Sequence, residues 1–130
     1  MDPAHHIKYL RVARALASSA SDLAGLSEPG DAYGNAMAII AIHSCIAYVD
    51  SLCIRFAGFK SGDGDHLRAV DALKEALGER LDAKTTKCIR RILSAKDAAS
   101  YQGDYYSVED ARKVVKDLEY LTGFAEEQLS

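Results

Sequence analysis

The sequence has no tryptophan, only two prolines, three cysteines and no excess of positive charge. Three cysteines without a C-x-x-C pair argue against a disulfide scaffold and favour a reducing cytoplasm. Sixteen Lys and Arg against nineteen Asp and Glu give a net charge of −3, which argues against a general binder of polyanions. The 130 residues predict one compact domain, 1–130, whose core needs neither a disulfide nor a metal.

Membrane signals are also scarce. The N-terminal residues lack the apolar stretch of a signal peptide. The most apolar segment, residues 36–57, is rich in Ile and Ala but contains His43, Asp50 and Arg55. A membrane-spanning helix needs about 20 nearly uncharged residues. We therefore expect no membrane span and no membrane partner.

Apolar residues recur every three or four positions along most of the chain, which predicts an all-α protein. The pattern places helices at about 4–23, 32–57, 65–77 and 83–101, and from 107 to the end. Four of these helices are long and are joined by short connections. This arrangement predicts an antiparallel up-and-down four-helix bundle with one additional short helix.

Local signals mark several helix ends. Pro3 stands at the start of the first helix, where its missing N–H costs nothing. Gly25 is expected to end that helix, and Gly78 is expected to end the third. Ser107 precedes Asp110 by three positions, which is the spacing of a capping box and predicts the start of the last helix.

The second helix is apolar nearly all round, which predicts burial at the centre of the bundle or in a subunit interface. His43 and Asp50 are seven positions apart and therefore share one face of this helix. Buried polar groups need partners. These two residues thus belong to an internal network, to a dimer contact, or to a polar groove lined by the second and fourth helices.

The end of the fourth helix and the following turn provide the expected opposite wall of that groove. Its polar residues are Arg91, Lys96, Asp97, Ser100, Tyr101, Asp104, Tyr105 and Tyr106. Tyrosines at this position either stack on a base or cover the rim of the bundle. The basic residues of the fourth helix form either a solvent-exposed face or a site that binds phosphate groups.

Catalytic and metal-binding patterns are weak. His5 and His6 are adjacent and point about 100° apart on a helix, so they do not share an ion easily. Residues 63–65 read Asp-Gly-Asp but lack the acidic ladder of a calcium loop. The serines and cysteines of the apolar helices are typical of packing. We expect no metal and no cofactor.

The segment from Lys96 to Tyr105, which leads into Ser107–Ala111, resembles the HEPN superfamily (higher eukaryotes and prokaryotes nucleotide-binding domains). Many members read basic-x-x-Ala-x-Tyr-x-x-x-Tyr, followed by a capped last helix with acidic residues and Ala. The similarity extends to helix order and lengths over most of the chain. The resemblance implies a four-helix bundle that usually dimerises. Such domains are often encoded beside a small nucleotidyltransferase, in toxin–antitoxin or defence settings.

Ribonuclease members of that superfamily carry an Arg, four to six further residues, and then a His at the end of the fourth helix. This chain has no His after Arg90 and Arg91, and Lys96 and Tyr101 or Gln102 stand in that region instead. Without an imidazole the acid–base step of RNA cleavage lacks its usual agent. We therefore expect no catalytic residue and do not carry over the nuclease activity.

The leading hypothesis is a non-catalytic, homodimeric, HEPN-like domain that binds a nucleotide-type ligand or a partner protein, such as a nucleotidyltransferase. In that cleft Lys96 would pair with phosphate and Asp97 would orient Lys96. Tyr101 and Tyr105 would offer stacking or hydroxyl contacts. Arg91, His43 and Asp50 complete the set of candidate binding residues.

Two alternatives remain. The first is a degenerate, metal-independent ribonuclease that uses Arg91, Lys96 and Tyr101, with His43 from the facing helix. The second is a purely structural bundle whose apolar second helix is an association surface.

Overall fold

The computed structural model describes residues 2–60, 66–100 and 104–130. Within these ranges the protein is 84% helical and contains no strand, which confirms the all-α prediction. The helices are α1 (His6–Leu26), α2 (Gly34–Ala57), α3 (His66–Leu77), α4 (Ala83–Ser94), α5 (Lys96–Ser100) and α6 (Val108–Leu129). Short 3-10 turns lie at Pro3–His5 and Gly78–Arg80.

Helix α2 occupies the centre of the fold and contacts each of the other five α-helices. Five of its large side chains, those of Met37, Ile42, Tyr48, Leu52 and Ile54, are at most 2% exposed. This burial confirms the interpretation of a helix that is apolar nearly all round, because neighbours on several sides remove those side chains from water.

By length and composition, α2 is also the one helix of the described ranges that could cross a membrane. The mean hydropathy of its most apolar window is 1.8, and 78% of that window is buried inside the protein. A buried core helix satisfies the same criteria, so this finding does not assign a location.

The predicted end of α1 at Gly25 is wrong. The helix continues to Leu26 and is closed by Ser27, whose N–H and hydroxyl both donate to the carbonyl of Leu23, at 3.0 and 2.7 Å. Gly25 lies inside the last turn, and no heavy atom lies within 4 Å of the position that a Cβ would take there. The predicted end of α3 at Gly78 is confirmed, since Gly78 has a φ of 56°.

The prediction of one continuous fourth helix over 83–101 is also wrong. Helix α4 stops at Ser94, and the N–H of Ala95 donates to the carbonyl of Ile92, three residues back, at 3.2 Å. The Ser94 hydroxyl donates to the carbonyl of Arg90 at 2.6 Å, a back-bond of the kind that bends helices. The break makes α5 a separate short helix, and α5 packs against α2.

Helix α6 begins where the capping-box spacing predicts. The N–H of Asp110 donates to the Ser107 hydroxyl at 3.0 Å, with Ser107 as the N-cap in extended backbone. Glu109 and Asp110 occupy the first turn, where carboxylates favour the positive end of the helix dipole. This cap fixes the start of α6 directly after residues 104–106.

Candidate functional site

The start of α2 holds the segment that leads into α6. The side-chain amide of Asn35 donates to the carbonyls of Ala99 and Asp104, both at 2.8 Å. Its oxygen accepts from the N–H of Tyr106 at 3.0 Å. The neighbouring Gly34 allows close approach, because a Cβ at this position would lie 1.9 Å from the carbonyl oxygen of Tyr106. Gly34 and Asn35 therefore position the end of α5 and residues 104–107 together.

An open groove of about 430 Å³ lies beside this junction, and we call it the α2–α5 groove. It is lined by Ala32, Asn35, Ile39, Ala99, Ser100, Asp104 and Tyr105. The Tyr105 side chain is 63% exposed and lies at the groove's edge. The side-chain amide of Asn35 is already hydrogen-bonded to the backbone. The other polar side chains that line the groove, those of Ser100, Asp104 and Tyr105, are therefore the ones that can contact a ligand.

Two of the predicted binding residues lie on α5, whose last residues, Ala99 and Ser100, line this groove. Lys96 and Asp97 are exposed at the start of α5. Lys96 precedes Ser100 by four positions, so the two share one face of the helix. Tyr101 lies outside the described residues. The structure thus brings Tyr105 and the Lys96 face of α5 to one end of the protein.

Arg91 lies elsewhere, on the side of α4 that meets α6. Its guanidinium binds Asp117 through two parallel hydrogen bonds of 2.9 and 2.8 Å. This bidentate pair raises the pKa of Arg91 further above its ordinary value. Arg91 therefore joins α4 to α6 and does not line the α2–α5 groove.

His43 and Asp50 line a second groove, of about 330 Å³, which we call the α1–α2 groove. Its walls are Lys8, Tyr9, Val12, Leu16, His43, Ile46, Ala47 and Asp50. His43 is exposed, whereas Asp50 is buried with 5% exposure. The expectation that both residues share one face is confirmed. The prediction that the fourth helix forms the opposite wall of their groove is wrong, because α1 forms that wall.

A third polar cluster joins α1, α2 and α6. The Arg14 guanidinium binds Glu126 in bidentate fashion, with its Nε 2.7 Å from Oε2, and the Tyr48 hydroxyl lies 3.4 Å from the same oxygen. The hydrogen bonds from Arg14 lower the pKa of Glu126, while burial raises the pKa of Tyr48. Sequence reasoning missed this cluster, because its members are far apart in the chain.

The metal-ligating side chains and the cysteines of the described ranges bear on the catalytic alternatives. No group of three or more His, Cys, Asp or Glu side chains in the described ranges could hold a metal ion. Cys45, Cys53 and Cys88 are free and buried. Burial raises the pKa of all three thiols, that of Cys53 to about 12, so they stay protonated at neutral pH.

Comparison of the chain with protein-family models, with curated proteins and with solved structures finds no match. Function is therefore inferred from the two grooves and from the faces that border them.

Proposed function

We propose that this protein is a non-catalytic, HEPN-like helical domain that self-associates as a homodimer and binds a nucleotide-type ligand or a partner protein. In this proposal the long helices form an antiparallel up-and-down four-helix bundle, with α4 and α5 together as one member and α3 as the additional short helix. Contacts of Arg14 with Glu126 and of Arg112 with Ala24 support the antiparallel pairing of α1 with α6.

The open face of α2 is the observation that carries the proposal of self-association. Between residues 36 and 54, five positions are exposed or half-buried although the rest of this stretch is enclosed: Ala36, Ile39, Ile40, His43 and Ile46. We call this set the α2 strip. Val12 of α1 lies beside it in the α1–α2 groove and is 53% exposed. An apolar face that remains open in a small bundle is a site of association, and the occupant proposed here is a second copy of this chain.

Val12 and Ile7 provide a matched pair of variants that tests this proposal. Both are β-branched residues of α1, at 53% and 54% exposure, but they point about 140° apart at 100° per residue. We expect Val12→Glu to raise the dimer dissociation constant by about 100-fold or more, because a charge enters the apolar contact twice in a two-fold dimer. Ile7→Glu should leave it within about twofold.

Sedimentation velocity over a range of concentrations measures both constants, and circular dichroism establishes that both variants remain folded. Equal dimerisation of Val12→Glu and Ile7→Glu would refute association through this face.

The α2–α5 groove favours one nucleotide as the ligand. Its volume of about 430 Å³ is within the range of small-molecule sites, about 300–1,000 Å³. Tyr105 offers an exposed ring on which a base can stack, and Lys96 supplies the cation for phosphate. Asp97 and Asp104 add negative charge beside Lys96, which disfavours a longer polyanion such as RNA.

Calorimetric titration with AMP and ADP at low and physiological salt tests this second function. We expect Tyr105→Ala to weaken binding by about 5- to 150-fold, which corresponds to the loss of one stacked base. Lys96→Ala should weaken ADP binding as well, whereas the exposed Lys87→Ala on α4 should not.

Labelled tRNA incubated with the same protein distinguishes the ribonuclease alternative. The proposal predicts intact tRNA, and cleavage that disappears in Lys96→Ala would establish the enzyme instead. If neither nucleotide nor tRNA binds, the remaining partner is a protein, for which the resemblance points to a nucleotidyltransferase.

A further inference from the structure

A third groove lies between α1 and α6, and we call it the α1–α6 groove. Its volume is about 380 Å³, within the range of about 300–1,000 Å³ that is typical of small-molecule sites. Its charged side chains are Arg14, Glu119 and Glu126, and hydroxyl groups from α1, α2 and α6 complete the polar part of its lining. It shares no lining residue with the α2–α5 groove or the α1–α2 groove.

The charges of the α1–α6 groove leave one carboxylate in excess. The Arg14 guanidinium donates two hydrogen bonds to Glu126, so these two charges balance each other. The same bonds lower the pKa of Glu126, which therefore stays ionised at neutral pH. Glu119 is exposed and forms no ion pair within the described residues. One positive and two negative groups together favour a ligand that carries positive charge.

The hydroxyl groups of this groove add capacity to accept hydrogen bonds. The Tyr48 side chain is 1% exposed, and its hydroxyl makes only a long contact with Glu126, at 3.4 Å. The Thr122 hydroxyl oxygen is shielded from solvent and forms no hydrogen bond within the described residues. Ser18 and Ser21 contribute exposed hydroxyls from α1. Because a carboxylate only accepts and a hydroxyl oxygen accepts through two lone pairs, this wall suits a ligand that donates.

A fourth groove, on the other side of Glu119, has the same preference. We call it the α4–α6 groove; its volume is about 420 Å³, and it is lined by Asp82, Glu119, Tyr120, Gly123, Phe124 and Glu127. It therefore combines three carboxylates with two aromatic rings. One of these rings already contacts a cation, because the Lys84 ammonium lies 4.4 Å from the centre of the Tyr120 ring. Carboxylates and aromatic faces together attract organic cations.

Gly123 provides an open passage between the two grooves. It follows Glu119 by four positions and precedes Glu127 by four, so it lies between these carboxylates on the surface of α6. Beyond its adjacent residues and the nearby backbone of α6, no heavy atom lies within 4 Å of the position that its Cβ would take. Its φ is not positive, so alanine would fit the backbone and would favour the helix. A chain-like ligand can cross α6 here without meeting a side chain.

These features favour an organic cation over a metal ion. No group of three or more His, Cys, Asp or Glu side chains within the described part of the chain could hold a metal. A primary ammonium group carries one positive charge and three N–H donors, which matches the excess carboxylate and the acceptors of each groove. An aliphatic chain between two ammonium groups has the shape that the passage at Gly123 admits.

We infer that this surface of α6 binds a linear aliphatic polyamine, with one ammonium group in the α1–α6 groove and a second in the α4–α6 groove. Glu119 borders both grooves and is shared by the two ammonium groups. The chain of the polyamine crosses α6 over Gly123. This inference is independent of the proposed self-association and of the proposed nucleotide site.

Calorimetric titration of the full chain with spermidine tests the inference. At about 0.15 M salt, where the screening length is about 8 Å, we expect one spermidine per chain. Spermidine acetylated at one end keeps the chain but loses one terminal charge, and it should bind at least about tenfold more weakly, the effect of losing a hydrogen-bonded charge. Equal binding of the two compounds, or displacement of spermidine by magnesium at equal charge concentration, would overturn the inference.

Glu119→Gln and Glu109→Gln form a matched pair, since both remove one exposed carboxylate from α6. Glu109 lies ten residues before Glu119, about 15 Å along the helix. We expect Glu119→Gln to weaken spermidine binding by about tenfold, because charge-assisted hydrogen bonds are lost. Glu109→Gln should leave binding within about twofold. Equal weakening by both variants would show attraction by net charge alone and would overturn the site.

Gly123→Ala separates a role in binding from a role in folding. A methyl group in the passage should weaken spermidine binding by about fivefold or more, as overpacking of a contact does. The same change should not destabilise the free protein, because nothing in the described fold occupies that space. Circular dichroism on heating measures stability beside the titration. A Gly123→Ala protein that binds spermidine as tightly as the parent would overturn the crossing at this position.

Discussion

Replacing Gly34 with alanine is expected to lower the free energy of unfolding by about 3 kcal/mol, as severe overpacking does. A Cβ at this position would lie 1.9 Å from the carbonyl oxygen of Tyr106 and 2.7 Å from the carbonyl carbon of Ser107. These neighbours are backbone atoms at the capped start of α6, so they cannot move aside as the end of a flexible side chain can. Urea denaturation followed by circular dichroism measures the change.

Gly123→Ala is the control for this prediction. Gly123 lies within α6, and beyond its adjacent residues and the nearby backbone of α6 no heavy atom lies within 4 Å of the position that its Cβ would take. Alanine is a better helix former than glycine, so this variant should be more stable by about 0.5–1 kcal/mol. Opposite signs for the two Gly→Ala changes are the expected result. A Gly34→Ala protein as stable as the parent would show that α2 and the 104–107 segment are not in close contact.

Asn35→Ala is expected to cost about 2–3 kcal/mol, because it removes three hydrogen bonds, two of them partly buried. The groups affected are the carbonyls of Ala99 and Asp104 and the N–H of Tyr106. Hydrogen exchange adds a local measurement, since the amide of Tyr106 should lose protection in the variant.

The matched control for Asn35 is Asp104→Ala. Asn35 binds the main-chain carbonyl of Asp104, and the Asp104 side chain is exposed. This variant should therefore remain within about 0.5 kcal/mol of the parent. If Asp104→Ala were as damaging as Asn35→Ala, the side chain of Asp104 and not its backbone would hold the segment.

The period of apolar residues predicted the helices well, because burial of one face requires a repeat near 3.6 residues. It also predicted that α2 is buried on several sides and that His43 and Asp50 share a face. It did not identify which helix lies opposite them, since a face is a property of one helix and its neighbour is a property of the packing. The wall turned out to be α1, with Lys8 and Val12.

The break after Ser94 was beyond the same reasoning. The apolar spacing continues through Ala95 and Ala99, both of which are buried, so nothing in the period signals a stop. The back-bond of Ser94 to Arg90 is local, and the packing of α5 on α2 is a tertiary contact, but neither is encoded in the apolar period. In the sequence, Gly34 and Asn35 stand out only weakly, as a glycine and an amide at the start of an otherwise Ala- and Ile-rich helix. Their contacts with a segment about 70 residues away could not be derived from it.

The central claim is that the open face formed by the α2 strip and Val12 joins two copies of this chain. The mass of the unmodified protein in solution tests this claim most directly. Light scattering on the protein as it elutes from a sizing column should give twice the 14.1 kDa chain mass at high concentration. The mass should fall towards that of one chain on dilution, and Val12→Glu should give one chain throughout. A mass of one chain for the unmodified protein at every concentration would contradict the account.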